Sequence, residues 1–218
     1  MNVIVTSGPT REPIDSVRFI SNLSSGRTGA AICEALTARG FSVTQVHGVD
    51  SALAKGASRR ETFTDHTSLD SILRRLLADS AYGALIHVAA VGDFYVAGPA
   101  PDAKIASGQE LTIPLRPTPK IIERIRGYAS NPELLLIGFK LTHDADPDAQ
   151  ARAARDLLMR SHACYVVQND VATLSNDAEH VFNIHESGSN RPRRCVGRMR
   201  LATALATLLA ESIARSSR

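Results

Sequence analysis

Apolar residues run almost without interruption at five places in this chain. These are Asn2 to Thr6, Phe41 to His47, Ala84 to Val91, Leu134 to Phe139 and Ala163 to Gln168. Such runs suit strands buried on both faces of a parallel sheet, where no face is left for polar alternation. Between them, apolar residues recur at helical spacing. Gly26 to Arg39 carries Ala30, Ile32, Cys33, Leu36 and Thr37 on roughly one face, and Gly40 stops it. A second helix, capped by Thr67 or Ser68, reaches about Ala78 with a stripe of Ile72, Leu73, Leu76 and Leu77. Thr118-Pro119 has the favoured order for an N-cap followed by the first helical residue. Asp148 to Arg160 and Leu201 to Ala214 read as the last two helices. The alternation predicts an α/β, Rossmann-like, doubly wound and mostly parallel sheet with helices on both faces.

The pattern breaks in four places. Ser7 to Ser25 has Gly8, Pro9 and Pro13 as breakers, and a structureless loop of that length is usually functional. Val49 to Phe63 is polar and Ala-rich, with room for one short strand. Phe94 to Leu115 holds Gly98, Pro99 and Pro101 and then Lys104, and reads as a flap carrying one lysine. Val181 to His185 and Arg193 to Val196 predict a small antiparallel arm over about 178–197. The whole, residues 1–218, is expected to form one domain.

Composition narrows the classes. The chain has no tryptophan and a formal charge of only +3, so an aromatic nucleic-acid platform is not expected. Arg191, Arg193, Arg194, Arg198 and Arg200 form a basic run that reads more readily as a solvated turn and helix start than as a phosphate patch. Cys33, Cys164 and Cys195 lack CxxC spacing, which argues for a reducing, cytoplasmic setting without disulfides or structural zinc. No apolar run is long enough for a bilayer, and the N-terminus lacks signal-peptide features. Neither nucleic acid nor membrane is therefore expected as a partner.

Candidate chemistry gathers at helix starts and strand ends. Ser21 to Gly29 runs into an apolar helix. Its unpaired backbone amides and dipole would favour a phosphate or carboxylate. Ser24 and Ser25 are candidate caps, Gly26 and Gly29 permit close approach, and Arg27 adds a cation. Thr118 marks a second such helix start. Arg18 and Lys104 supply further positive charge, and Asp93 ends a strand. The seven histidines show no metal-ligand spacing, and His87 reads as a core residue. A Gly-x-Gly-x-x-Gly fingerprint, a Walker A loop and a nucleophile elbow are all missing. This inventory suits positioning and charge neutralisation, as in nucleotidyl transfer to a carboxylate with Mg2+ on the triphosphate.

Thr6-Ser7-Gly8-Pro9-Thr10-Arg11-Glu12-Pro13-Ile14-Asp15 and Val17-Arg18-Phe19-Ile20-Ser21-Asn22-Leu23-Ser24-Ser25-Gly26-Arg27-Thr28-Gly29 resemble the phosphopantothenate–cysteine ligase family. So do Ala89-Ala90-Val91-Gly92-Asp93-Phe94-Tyr95, Lys104-Ile105, Gly138-Phe139-Lys140-Leu141 and Gln168-Asn169-Asp170, in the same order. The resemblance implies that 4′-phosphopantothenate is joined to cysteine through an acyl-nucleotidylate, with a nucleoside triphosphate split to monophosphate and pyrophosphate. It implies that Asn22 holds the reacting carboxylate, that Arg18 supports that loop or the substrate phosphate, and that Lys104 contacts the triphosphate. Gly8, Thr10, Ser24, Ser25, Gly26, Ala89, Ala90 and Asp93 would line the pocket. Thr118, Pro119, Lys120 and Ile121 would cradle phosphates, Phe139 would lie beside the base, and Arg155 would be a basic nucleotide contact.

Pro9 stands where the common bacterial pattern has a glycine. The Lys-Ile-Ala-Ser-Gly flap and Gly-Phe-Lys-Leu are similar to the eukaryotic branch, which leans the nucleotide towards ATP and leaves CTP open. The resemblance further implies a homodimer, with the antiparallel arm as candidate contact, and a free-standing ligase without flavin. An NADP-dependent Rossmann-like oxidoreductase and a non-catalytic nucleotide sensor are the alternatives.

Overall fold

The computed structural model describes residues 1–98, 102–108, 110–143, 146–174, 178–189 and 191–216. The strands expected from continuous apolar runs form the middle of one eight-stranded sheet. They are β1 (Asn2–Ser7), β4 (Ser42–Gly48), β6 (Tyr82–His87), β9 (Leu135–Thr142) and β10 (Tyr165–Asp170). With β5 (Arg59–Phe63), β11 (Val181–Glu186) and β12 (Arg193–Val196), the order is β12-β11-β10-β9-β6-β1-β4-β5. All neighbours run parallel up to β10, and β11 and β12 are antiparallel. The terminal pair is thus the edge of the main sheet rather than a projecting arm; residue 190 lies outside the described residues.

Both faces of the sheet are buried, which explains why the strands read as unbroken apolar runs. Val3, Val5, Ala84, Ile86, Ile137 and Val167 pack towards α1 (Arg27–Thr37) and α5 (Arg198–Ser216). Ile4, Leu85, Leu136 and Val166 pack the other way, towards α2 (His66–Leu77), α3 (Ile121–Tyr128) and α4 (Pro147–Ser161). Each fully buried aliphatic side chain contributes about 1.5–3 kcal/mol of hydrophobic stabilisation. Among the described residues no helix is long and apolar enough to cross a membrane.

Several boundaries differ from the sequence reading. The long first loop contains a hairpin of β2 (Arg11–Pro13) and β3 (Phe19–Ser21). The third apolar-rich strand stops at His87, so Val88 to Val91 form the turn beyond it. The base of the flap is a second hairpin, β7 (Phe94–Val96) with β8 (Leu115–Pro117), while residues 99–101 and 109 of the flap lie outside the described residues. Asp65, not Thr67 or Ser68, caps α2, and Ser68 closes the reciprocal half of a capping box. Thr118 does not cap α3. The helix begins at Ile121 with Lys120 as its flanking residue and no side-chain cap. Nor do Ser24 and Ser25 cap α1: Gly26 does so with φ 72° and without a side-chain bond. A left-handed turn admits glycine without penalty, so the backbone alone closes this helix start.

Gly29 lets α1 lie against the end of β1. A Cβ built there would be 2.4 Å from Ser7 Cβ and 3.3 Å from Thr6 O. In a free helix Gly→Ala stabilises by about 0.5–1 kcal/mol, but forced overpacking costs typically about 1–3 kcal/mol. The clash involves backbone and a buried residue, so it wins. Gly29→Ala is expected to lower the urea unfolding midpoint; a rise would show that α1 can shift freely and that the close seat is unimportant.

Candidate active site at the β1 and β6 strand ends

β1 sends its chain through α1 to β4 on one side, while its other neighbour, β6, is reached only after β5 and α2. The connections therefore diverge between β1 and β6, and the crevice beyond their carboxyl ends is where such sheets bind ligands. Here the two strand-end loops are joined backbone to backbone. Ala90 N–H donates to Gly8 O at 2.9 Å, and Thr10 N–H donates to Ala90 O at 3.2 Å. Gly92 N–H donates to Thr10 Oγ1 at 2.9 Å. Pro9 forms an isolated parallel bridge with Ala90.

Beneath this junction, Thr6 fixes the turn. Its Oγ1 accepts Val88 N–H and Ala89 N–H, both at 3.1 Å, and lies 3.0 Å from His87 Nδ1. With its lone pairs engaged, the hydroxyl hydrogen goes to His87 Nδ1, which makes the imidazole neutral with its proton on Nε2. Burial pushes the His87 pKa down from 6.5 to about 4. His87 is a structural residue, as its apolar strand suggested.

Asn22 follows the β2–β3 hairpin. It is exposed, and its Nδ2 donates to Val91 O at 3.1 Å. Ser21 Oγ donates to Thr10 O at 2.7 Å and ties the hairpin end to the same loop. Ser24 and Ser25 are exposed, and Ser25 Oγ accepts Arg27 Nε at 3.0 Å. Gly8 and Gly26, with φ 83° and 72°, close around Ser51: a Cβ at Gly8 would be 1.8 Å from Ser51 Oγ. That buried hydroxyl has no hydrogen-bond partner among the described residues, and Ala52 N–H donates to Ser25 O at 3.0 Å. The α1 N-terminus thus presents backbone amides with no acidic residue in its first turn. This is the arrangement that accepts an anion.

The hairpin turn is held by Asp15. Its side chain is fully buried, and its Oδ1 accepts the N–H groups of Val17 at 3.0 Å and Arg18 at 2.8 Å. Its Oδ2 accepts Arg18 Nε at 2.9 Å and Ile105 N–H at 3.0 Å. Arg18 Nη2 in turn donates to Ile105 O at 2.8 Å. The Arg18 guanidinium holds the Asp15 carboxyl well below the usual carboxylate range. Lys104 is therefore brought next to Arg18 through its neighbour Ile105, and its own side chain is exposed.

The second helix start lies beside the same turn. Thr118 is buried, with its Oγ1 donating to Gly92 O at 2.5 Å and its N–H to Asp93 O at 2.9 Å. Lys120 Nζ pairs with Asp93 Oδ1, and Pro119 O meets His66 Nε2 at 2.8 Å. Below them a cleft of about 440 Å³ is lined by Glu12, His66, Tyr95, Thr118, Pro119 and Arg124, among others. Ile121 is buried in the α2/α3/α4 core.

Two expected residues stand apart from this junction. Phe139, half-buried on β9, packs against the α1/α5 core. Arg155 is exposed on α4, where burial, then the Arg155 charge, lower the His185 pKa. Sequence reasoning missed Thr6, Asp15 and Ser51. Only Asp15 left a local signal, as a carboxylate three residues before Arg18.

A family model described as the DNA/pantothenate metabolism flavoprotein C-terminal domain matches residues 1–213. A coenzyme A biosynthesis bifunctional protein CoaBC of Thermococcus kodakarensis is 36% identical over 179 residues. The match takes in 82% of this chain and 43% of that protein. The chain thus spans less than half the length of that relative. Among solved structures, the DNA/pantothenate metabolism flavoprotein from Streptococcus pneumoniae is 29% identical, with a TM-score of 0.83 and 99% of each chain covered. A Cab2 variant in complex with phosphopantothenate-cysteine, 21% identical, covers 100% of this chain and 89% of its own with a TM-score of 0.79, and shares the fold.

The Thr6–His87 pair gives a pH signature. Unfolded His87 takes up a proton near 6.5, whereas the folded residue does so only near 4. Its contribution is complete above about pH 6.5 and is lost as pH falls towards about 4, to the extent of roughly 3 kcal/mol. His87→Asn should therefore flatten the loss of urea stability between pH 7 and pH 4.5. An unchanged slope would mean that His87 is not held neutral.

Proposed function

The chain belongs to the DNA/pantothenate metabolism flavoprotein C-terminal domain family, and from that premise we propose that it is a phosphopantothenate–cysteine ligase. One observation carries the reading within the site. A single hairpin sets Asn22 against the strand-end turn and holds, at its other end, the segment that bears Lys104. A carboxylate, a triphosphate and the Lys104 cation can then meet over the α1 N-terminus.

In the first step a carboxylate oxygen of 4′-phosphopantothenate attacks the α-phosphorus of the nucleoside triphosphate. The α–β phosphoanhydride breaks and pyrophosphate leaves. Asn22, already anchored through Nδ2 to Val91 O, offers an amide acceptor and a second donor hydrogen without adding charge. Lys104 supplies positive charge where it builds up on the phosphates. Amides of the α1 start face the anion with no acidic residue to oppose it. Gly8, Thr10, Ala89 and Ala90 form the backbone wall, and Thr118 to Ile121 the second phosphate-facing edge. In the second step the cysteine amine attacks the acyl carbon, the nucleoside monophosphate leaves, and the amine loses its proton.

Mg2+ travels with the triphosphate in this reading. Among the described residues no three His, Cys, Asp or Glu groups converge on a metal position. An ion carried mainly by phosphate oxygens would have Asp93 as one exposed carboxylate nearby. The ion would neutralise phosphate charge. The nucleotide is ATP or CTP, with a weak lean to ATP; Phe139 is its proposed base-side contact and Arg155 a proposed basic contact in the nucleotide pocket.

We further propose a homodimer. Phe19, Leu23, Phe94 and Leu115 are exposed on or beside the β2–β3 and β7–β8 hairpins. Apolar residues of that kind can mark an interaction face, and they stand beside the β11–β12 pair as a second candidate contact. Light scattering is expected to give twice the chain mass; a monomer at micromolar concentration would refute it.

Pyrophosphate release that requires phosphopantothenate, nucleotide and Mg2+, followed by amide formation with cysteine, tests the function. No amide with either ATP or CTP would refute it. Asn22→Asp should slow the cysteine step more than pyrophosphate release, because Asp lacks the amide hydrogens that would hold the acyl-nucleotidylate in place. Equal loss in both would remove the role given to Asn22.

A further inference from the structure

We propose that Asp15 is a positioning residue that latches the Lys104 segment to the hairpin carrying Asn22. The inference rests on the ligase reading only for its catalytic consequence; the latch itself stands on geometry. Asp15 lies in a short turn whose neighbours Ser16 and Val17 are exposed, yet its own side chain is fully buried. A buried carboxylate is costly unless its oxygens are fully engaged. Here the engagement divides cleanly between the two oxygens. Oδ1 serves the turn, through Val17 N–H and Arg18 N–H. Oδ2 serves the latch, through Ile105 N–H and the Arg18 guanidinium. Arg18 completes it by donating to Ile105 O at 2.8 Å.

Both backbone groups of Ile105 are thereby taken by one ion pair, 90 and 87 residues away in the chain. Ile105 has no strand partner to hold it, since the 102–108 segment lies outside every strand. The Asp15–Arg18 pair does the work of a strand partner at this one residue. Lys104, one residue earlier, inherits the fixed position while its ammonium stays exposed. A flexible lysine is useful in the phosphoryl step only if its chain is already placed, because displacement of about 1 Å can cost about 100-fold in rate.

The two-oxygen division suggests a selective variant. Asp15→Asn retains an acceptor for Val17 and Arg18 N–H. It also sets an NH2 group against Ile105 N–H and the guanidinium, which need an acceptor. The turn survives and the latch is lost. Ile105→Pro breaks the same latch from the other side by removing the N–H, and leaves Asp15 and Arg18 intact.

The test has two readouts. Subtilisin cleavage within residues 102–108, located by mass spectrometry, reads the latch without any activity, since cleavage of a native segment follows its opening. Asp15→Asn and Ile105→Pro should each speed it; a rate equal to that of the original chain in both variants overturns the latch. Phosphopantothenate-dependent pyrophosphate release reads the consequence. Asp15→Asn is expected to slow it about 10- to 100-fold, and the double variant with Lys104→Ala should be no slower than Lys104→Ala alone. Losses that multiply, or an Asp15→Asn rate equal to the original, overturn the positioning role. If the original chain releases no pyrophosphate, the ligase reading fails and the cleavage rates still decide the latch.

Discussion

Two parallel strands that end side by side leave their last backbone groups without partners, and in this protein those groups bind each other. Gly8, Pro9 and Thr10 after β1 pair with Ala90 and Gly92 after β6. Everything proposed to be chemical is hung on that junction. Thr6 braces it from below, through Val88 and Ala89 N–H. Asn22 is fixed to it through Val91 O, and Thr118 through Gly92 O. These loop groups thus bind one another locally, and the face left towards solvent includes Asn22, a helix start with no acidic residue in its first turn, and Lys104. A site of this kind works by placement and charge rather than by a tuned acid or base. Consistent with that, the lowered His87 belongs to the support and not to the exposed face.

The second organising interaction is Asp15 with Arg18. It links a turn near the N-terminus to a segment 90 residues later that has no sheet of its own. In combination with the strand-end junction it gives the first loop two duties. One end of the hairpin orients an amide, and the other end restrains a cation. The long gap between β1 and α1 is in physical terms a short antiparallel clamp, not an unstructured loop.

Much of the fold could be read from the sequence because both faces of the sheet are buried. Ile4, Leu85 and Leu136 on one face, and Val3, Ile86 and Ile137 on the other, leave runs that only a parallel, doubly covered sheet explains. The α helices were legible from their periodicity, and the proposal of Asn22, Arg18 and Lys104 as site residues rests on their resemblance to a family. What was not legible depends on long-range partners. Thr118-Pro119 has the local form of a helix cap, but Gly92 and Asp93 claim the threonine, so α3 starts later. Ser24 and Ser25 look like caps too, and lose that role to a left-handed Gly26. Two-stranded hairpins such as β2–β3 and β7–β8 are too short to leave a pattern, and a latch spanning 90 residues leaves none at all.

The account's central claim is that this placement serves nucleotidyl transfer to a carboxylate. The most direct measurement omits cysteine and follows phosphopantothenate with α-labelled ATP or CTP on the protein by mass spectrometry. A phosphopantothenoyl-nucleotidylate retaining the α-label, formed together with pyrophosphate, is the predicted result. An acyl phosphate formed together with nucleoside diphosphate would place the attack at the γ-phosphorus and contradict the account.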